Sequence, residues 1–175
     1  MRYDDAFFAS LVTDETLAVV LEQEGKIVGV ATGLLKHKAT DWFGVGFGDS
    51  KVKVFYLATF GVAATHRRLG LGSRLLDAFL ALVEQRAKPD CVVLHVKCLN
   101  DSGRLFYLAK QFRVLRLKRN HYHIDGKAFD AYKMGLAVTE RSKAYLDTTP
   151  SVMDMLYKWL CCPLESDLIE DEKSK

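Results

Sequence analysis

The pattern of apolar and polar positions divides the chain into short strands and helices. Alternating or wholly apolar runs predict strands at residues 16–23, 26–35, 51–62, 91–98, 112–117 and 128–138. Apolar residues at helical spacing predict helices at 4–12, 70–86 and 100–110. This order of elements indicates an α/β or α+β domain over residues 1–138.

The third strand and the helix after it form the clearest part of this pattern. The run 51–62 begins in alternation and becomes almost wholly apolar, which is typical of a central strand covered on both faces. Asn100 or Asp101 is expected to cap the helix that reaches residue 110. The connection 36–50 has glycines separated by Trp and Phe, so we interpret it as a hairpin loop and not as a phosphate cradle.

Composition narrows the class of protein without naming a function. Apolar residues make up 49% and charged residues 27% of 175, a balance typical of a soluble globular protein. The net charge of +3 is too small to indicate nucleic acid. The four cysteines have no metal-binding or redox spacing, so we expect no metal, and without a secretory signal we expect a cytoplasmic setting with reduced thiols.

The sharpest motif is a glycine-containing turn between the third strand and the clearest helix. Two glycines let the backbone turn tightly, and several N–H groups then point at one spot at the positive end of the helix dipole. This design suits a pyrophosphate, although two solvated arginines beside a helix start are the alternative. The candidate anion-binding residues are Arg67, Arg68, Leu69, Gly70, Leu71, Gly72 and Ser73.

Residues 59–80 (TFGVAATHRRLGLGSRLLDAFL) and 92–112 (VVLHVKCLNDSGRLFYLAKQF) resemble the GNAT superfamily of acetyl-CoA-dependent N-acetyltransferases. The resemblance runs from about residue 27 to 138. It implies a GNAT fold, a mixed central sheet flanked by helices, with acetyl-CoA as co-substrate. The R-x-x-G-x-G turn would bind the CoA pyrophosphate, and Asn100 with Tyr107 matches the family signature near the pantetheine and the thiol. Gln111 stands where the family has a glycine.

The same resemblance implies a parting of two strands that admits the pantetheine. Backbone N–H groups near Gly61 and Val62, with Phe60 beside them, would contact the coenzyme and stabilise the oxyanion formed at the thioester. Tyr107 would return a proton to the leaving thiolate. The alternative for Tyr107 is a core aromatic residue on the helix 100–110.

Two strand sequences, FYLATFGV and VVLHV, resemble the protein N-alpha-acetyltransferases of the NatF type and of the NatE catalytic subunit. In those enzymes a Tyr and a His hold water for proton removal, and the matching residues are Tyr56 and His95. An α-amino group has a pKa of about 7.7–8.0, so a base with a pKa near the working pH suffices. The alternative for His95 is a buried strand histidine bonded to backbone.

The resemblance also implies residues that hold the acceptor peptide. The segment 120–124 (NHYHI) matches the aromatic hairpin that clamps the peptide, so His121 and Tyr122 are candidates, with ordinary hairpin residues as the alternative. Tyr3 matches the segment that follows the substrate loop. The first strand and first helix of the family, roughly thirty residues, would precede residue 1. The strand 16–23 would then be an exposed sheet edge.

Residues after the domain divide into a polar linker (139–150), an apolar segment (151–164) and an acidic tail (165–175). On a helical wheel the apolar segment has one broad apolar face that includes Trp159, and the pair Cys161-Cys162 follows it. Such a helix suits a membrane interface, and the cysteines suit S-palmitoylation, which NatF-type enzymes on the cytosolic face of the Golgi resemble in layout. Docking onto the chain's own domain or onto a second copy is the alternative.

These observations lead to one principal expectation and two alternatives. The chain is expected to transfer acetyl from acetyl-CoA to the α-amino group of protein N-termini, with Met-hydrophobic starts as acceptors by family analogy. One alternative is a GNAT that acetylates lysine or a small amine. The other is a catalytically weak acetyl-CoA-binding interaction module.

Overall fold

The computed structural model describes residues 13, 15–36, 52–140 and 142–144. Six strands form one sheet, which two longer α-helices and a short 3-10 turn at Ala64–His66 accompany. Among the described residues after the last strand, 140 and 142–144 are also helical. The strands are β1 Thr16–Gln23, β2 Lys26–Lys36, β3 Val54–Val62, β4 Cys91–Lys97, β5 Arg113–Ile124 and β6 Lys127–Ala137. The helices are α1 Leu71–Arg86 and α2 Asp101–Ala109.

The sheet is mixed, with strand order β1-β2-β3-β4-β6-β5. Only the central pair β3 and β4 is parallel within this sheet, and α1 forms the crossover between them. β1 is the edge strand of the described sheet, as predicted. The predicted mixed α/β architecture is confirmed, and the capping prediction holds because Asn100 Oδ1 accepts the Gly103 N–H at 3.0 Å.

The hairpin of β5 and β6 is longer than the apolar pattern predicted. The predicted strands ended at 117 and restarted at 128, but the ladder continues to Ile124 and Lys127. Asp125 and Gly126 form the connecting turn with φ of 51° and 74°. An Asp-Gly pair accepts these positive φ values, so a two-residue turn closes the hairpin and the polar residues before it remain in the strand.

The parallel pairing of β3 with β4 stops after three residue pairs, of which Tyr56 with Val93 is the last. A register shift between β2 and β3 lies at the same point, because Thr32 pairs with Thr59 while Gly33 pairs with Leu57. The extra residue bends β3, since a bulge increases local twist. The two central strands therefore part from Leu57 onward, and the expected splay is present.

The two faces of the sheet have different contents. The face under α1 carries the main core, in which Phe55, Phe79 and Leu94 are almost completely buried. The opposite face carries a smaller apolar cluster, in which Val54, Cys91 and Val93 are buried and Tyr56 packs against them. Alternation of side chains along each strand produces this division.

The segment after β6 begins against the domain. Ser142 is buried, and its hydroxyl donates to the Asp90 backbone oxygen at 2.6 Å, while the Thr139 hydroxyl donates to the Asp90 carboxylate at 3.2 Å. The start of the predicted linker 139–150 thus contacts the beginning of β4. In the described part of the chain no helix is long and apolar enough to cross a membrane.

Several predicted features lie outside the described residues. They are the helix 4–12 with Tyr3 before it, most of the connection 36–50, the apolar segment 151–164 and the tail 165–175.

Candidate active site

The glycine-containing turn leads directly into α1. Gly70 is the N-cap residue and has φ of +75°, and Arg68 has φ of +67°. Two left-handed residues so close together form a concave backbone, and the N–H groups of a first helical turn have no intrahelical acceptor. The predicted anion-binding residues Arg67 to Ser73 are therefore brought to one helix start with its positive dipole end.

The two arginines before the turn differ in their contacts. The Arg67 side chain donates from Nε to the Val62 backbone oxygen at 2.9 Å, so its guanidinium is attached to the end of β3. Arg68 and Arg74 are exposed on either side of Gly70. Arg67 is thus a charge anchored between the splay and the turn, and its side chain is exposed to solvent like those of Arg68 and Arg74.

Several aromatic rings lie between the glycine-containing turn and the splayed strands. Phe60 stacks on Phe106 with ring centroids 5.5 Å apart, and a Cβ at Gly72 would lie 3.7 Å from the Phe106 ring. Tyr107 is 8% exposed and packs against Phe60, Phe106 and Phe112. The Tyr107 ring is therefore part of the aromatic core. The prediction that Tyr107 donates a proton concerns only its hydroxyl group.

The backbone of β3 distinguishes the two residues predicted to stabilise an oxyanion. The Ala63 N–H donates to the Val28 oxygen on β2 at 2.8 Å. Successive N–H groups of a strand point to opposite edges, so the Val62 N–H points to the splayed edge and the Gly61 N–H toward β2. Of the two, Val62 carries the amide that faces the parting strands.

Tyr56 and His95 contact each other at the point where the strands part. The Tyr56 hydroxyl lies 3.2 Å from His95 Nδ1, and the two rings meet edge-on at 5.7 Å. Tyr56 is in the last paired position of β3, and His95 follows its partner Val93 by two residues on the same face of β4. The predicted catalytic pair is therefore assembled.

A bulge in β5 brings the predicted peptide-contacting residues onto this pair. Lys118 pairs with Ala131 and Tyr122 with Phe129, so β5 has extra residues between them. Asn120, in that stretch, has φ of +51°, and its N–H donates to Asp130 Oδ1 at 2.8 Å. The bulge places the next two residues against β4.

His121 and Tyr122 both contact His95. The His121 ring centroid lies 4.0 Å from that of His95, and the Tyr122 hydroxyl donates to the His95 backbone oxygen at 3.0 Å. The two residues therefore lie next to the Tyr56–His95 pair, where the peptide-contacting prediction requires them.

Burial changes the acid–base character of the two histidines. Burial, followed by the charges of His121, Lys118 and Lys133, lowers the pKa of His95 from 6.5 to about 3. Burial and Lys118 also lower the pKa of His121. This differs from the expected base with a pKa near neutrality, because desolvation and neighbouring cations both disfavour imidazolium. His95 is neutral at pH 7.

A buried lysine beside His95 escaped the sequence analysis. Lys133 is 6% exposed and is the Cα partner of His95 across β4 and β6. Burial and the charges of Lys118 and Arg116 lower its pKa to about 8. A lysine in the apolar run of β6 (AYKMGLA) was the available signal. The described ranges contain no cluster of three or more His, Cys, Asp or Glu that suits a metal ion.

Comparison with known proteins identifies the family of the chain. The acetyltransferase (GNAT) family model matches residues 1–112, more than half of the chain. The chain belongs to the GNAT acetyltransferase family. This GNAT chain is similar to N-alpha-acetyltransferase 50 of Danio rerio, with 28% identity over 70% of this chain and 66% of that protein.

Two further similarities concern a second type of GNAT protein. N-alpha-acetyltransferase 60 of Xenopus tropicalis is 24% identical over 75% of this chain and 58% of its own length. The crystal structure of Arabidopsis thaliana NAA60 with a bisubstrate analogue has a TM-score of 0.68 at 22% identity, covering 79% of this chain and 86% of that one. The chain spans less than two thirds of the two curated relatives, and the structural likeness shows the shared fold.

Proposed function

We propose that this GNAT chain transfers the acetyl group of acetyl-CoA to the α-amino group of protein N-termini. The Tyr56–His95 contact, at the point where β3 and β4 part, carries the proposal. This contact places two side chains that can donate or accept protons beside the gap between β3 and β4. The gap leads to the turn at Gly70. The names of the two curated relatives support the same reaction.

Acetyl-CoA would span the gap and the turn. Its pyrophosphate would lie at the first turn of α1, with Arg67 as a fixed counter-charge. The thioester carbonyl would lie at the parted strands, where the Val62 N–H donates to the oxyanion. Phe60 and Phe106 would line the path of the pantetheine.

The reaction exchanges a thioester for an amide. The amine nitrogen attacks the carbonyl carbon, the C–S bond breaks, and the amine loses one proton while the CoA thiolate gains one. The Tyr107 hydroxyl would supply the proton that the thiolate gains, and Tyr107 would regain a proton from solvent, which receives the one that the amine releases. On the order of a tenth of an α-amino group is already neutral near pH 7, so the chain need only select that form and remove the proton released after attack.

Neutral His95 would accept that proton through a water held with Tyr56. Because its pKa is about 3, imidazolium would pass the proton on to solvent at once. We therefore propose that His95 relays the proton to solvent and does not keep it, as a base with a pKa near the working pH would. His121 and Tyr122 would hold the acceptor backbone against this pair, and Met-hydrophobic starts are the acceptors that the NatF resemblance favours.

Acetylation of a Met-Leu peptide by the purified chain tests the proposal, with kcat/KM as the readout. We expect His95→Ala to lower it about 10²-fold, the lower end of the range for a positioned proton acceptor because the pKa of His95 lies well below the working pH, and Tyr56→Phe to lower it by a smaller factor. Affinity for CoA should not change. Tight CoA binding without turnover by the unmodified chain would instead support the interaction module.

Matched controls separate chemistry from folding. His123→Ala removes an exposed histidine from the same strand as His121, and Tyr132→Phe removes a hydroxyl from the helix-covered face of the sheet. Both should keep kcat/KM within about twofold, since neither side chain lies at the parted strands. Preference for free lysine or a small amine over the peptide would favour the other alternative.

We also propose that residues 151–164 bind a membrane surface. Their apolar face with Trp159 supports this, and a cytoplasmic location at the Golgi follows from the NatF resemblance. Flotation with liposomes tests it: Trp159→Asp should abolish co-flotation, and Ser151→Asp at the start of the segment should change it less. Equal flotation of Trp159→Asp and the unmodified chain would contradict the proposal.

A further inference from the structure

Two rows of directly opposed residues cross β4, β6 and β5 on the face that carries His95. The rows are His95–Lys133–Arg116 and, beyond it toward the end of β4, Lys97–Ala131–Lys118. Opposed residues in an antiparallel ladder project from the same face. Four of these six positions are lysine or arginine, a fifth is the neutral His95, and neither row contains a carboxylate.

The basic face of the sheet consists of Lys97, Arg116 and Lys118, whose cations are accessible or held in place. Arg116 and Lys118 are exposed on the outer strand. Lys97 Nζ lies 3.2 Å from the centroid of the Phe129 ring, which fixes its ammonium group above β6. The charge of Lys118 acts on His95 and on His121, so the basic face and the catalytic pair share one electrostatic environment.

The distance between the rows matches the spacing of an extended peptide. Lys97 follows His95 by two residues, which corresponds to about 6.6–6.8 Å along a strand. A peptide whose first residue lies at His95, held by His121 and Tyr122, would bring the residues that follow over the second row. An acidic side chain there would meet Lys97 or Lys118, whereas a basic one would meet like charge.

We propose that the basic face of Lys97, Arg116 and Lys118 makes this chain select acceptor N-termini with acidic residues just after the first two. This inference rests on the proposed N-terminal acetylation and specifies its substrate class. The first residue contacts the catalytic pair, and the charge of the third and fourth residues decides between acceptors. Like-charge repulsion rejects basic acceptors as much as attraction favours acidic ones.

Three peptides of equal length that differ only at positions three and four test the inference: Met-Leu-Asp-Asp, Met-Leu-Ala-Ala and Met-Leu-Lys-Lys starts. We expect kcat/KM to decrease in that order at low salt, by about two- to fivefold for each charge, the range of exposed ion pairs. The ratio should shrink as salt approaches 0.5 M, because screening then acts within a few ångströms.

Charge variants locate the effect. Lys118→Glu should invert the order of the acidic and basic peptides, and Lys97→Gln should reduce the ratio between them. Lys26→Gln, which removes an exposed charge at the β1–β2 turn, should leave that ratio unchanged.

The outcomes distinguish the two proposals. Acetylation of all three peptides at equal rates, or the same charge preference in Lys118→Glu, overturns the inference while N-terminal acetylation stands. Acetylation of none of them by a chain that binds acetyl-CoA overturns both.

Discussion

The two faces of β4 differ in what they do. Val92, Leu94 and Val96 point toward α1 and α2 and belong to the main core. His95 and Lys97 point to the opposite face, where polar and charged groups gather around the contact with Tyr56. On that second face Cys91 and Val93 belong to the smaller apolar cluster, and the proposed site begins at His95, so the period of two separates the main core from the candidate site.

This contrast predicts that stability and activity respond to different substitutions. The helix-covered face tolerates little loss of volume because its side chains are closely packed. On the opposite face, burial disfavours the charged forms of His95 and Lys133, and the neighbouring cations disfavour them further. The three tests below run from the largest expected change to the smallest.

The largest change is expected on the helix-covered face. Phe79 on α1 is fully buried and meets Phe55 edge-on at a centroid distance of 5.9 Å. Phe79→Ala should lower the free energy of unfolding by about 3–5 kcal/mol through lost burial and a cavity. Urea denaturation measures it. Ile27→Ala is the control, since Ile27 is 67% exposed, and it should cost about 0.5 kcal/mol or less. Equal costs would mean that α1 does not cover the core as described.

The second test concerns pH and the opposite face. Between pH 6.5 and about 3, His95 takes up a proton in the unfolded chain but not in the folded chain. The folded state therefore binds fewer protons, and stability falls as pH falls through this window. One proton gives a slope of at most about 1.4 kcal/mol per pH unit, and solvent screening of a partly exposed ring reduces it.

Urea denaturation from pH 4.5 to 7 measures this slope. His95→Gln should show a shallower slope than the unmodified chain, because the titrating group is gone. His123→Gln is the matched control, because it replaces an exposed histidine of β5 by the same residue. A steep slope that persists in His95→Gln would assign the pH dependence to other groups.

The smallest change separates backbone strain from binding at the glycine-containing turn. Gly70 and Gly25 have φ of +75° and +73°, and a Cβ at either would meet nothing within 4 Å. Gly70→Ala and Gly25→Ala should each cost about 1–2 kcal/mol of stability through the left-handed conformation alone. Calorimetry with CoA should show weaker binding only for Gly70→Ala, whose turn is the proposed pyrophosphate site. Weaker binding in both variants would indicate a general loss of folding.

The sequence pattern predicted much of the fold because apolar runs report burial directly. The strands β1 to β4 and both described helices lie within a few residues of their predicted positions. The end of β5 was missed because residues 118–124 are mostly polar or basic, so their pairing depends on the Asp125-Gly126 turn and not on burial, whereas β6 begins within one residue of its predicted start. The R-x-x-G-x-G turn was found because the glycines act locally.

The candidate site was predictable in its members but not in its geometry. Tyr56 and His95 stand on different strands, and only the register of β3 with β4 brings their side chains to 3.2 Å. The position of His121 on His95 depends on the bulge in β5, for which no short motif exists. The low pKa of His95 depends on burial and on the sum of surrounding charges, and Lys133 supplies part of it from a third strand.

The parting of β3 and β4 leaves two strand edges inside a sheet, where neighbouring chains would normally pair. Edges that lack a neighbouring strand are templates for unwanted strand addition, although Tyr122 and Arg67 already bond to one carbonyl on each. A ligand that lies between them supplies hydrogen-bonding groups to both edges and occupies the template. Bound coenzyme would then limit self-association in addition to supplying the acetyl group. Concentrated samples without coenzyme would be expected to aggregate first.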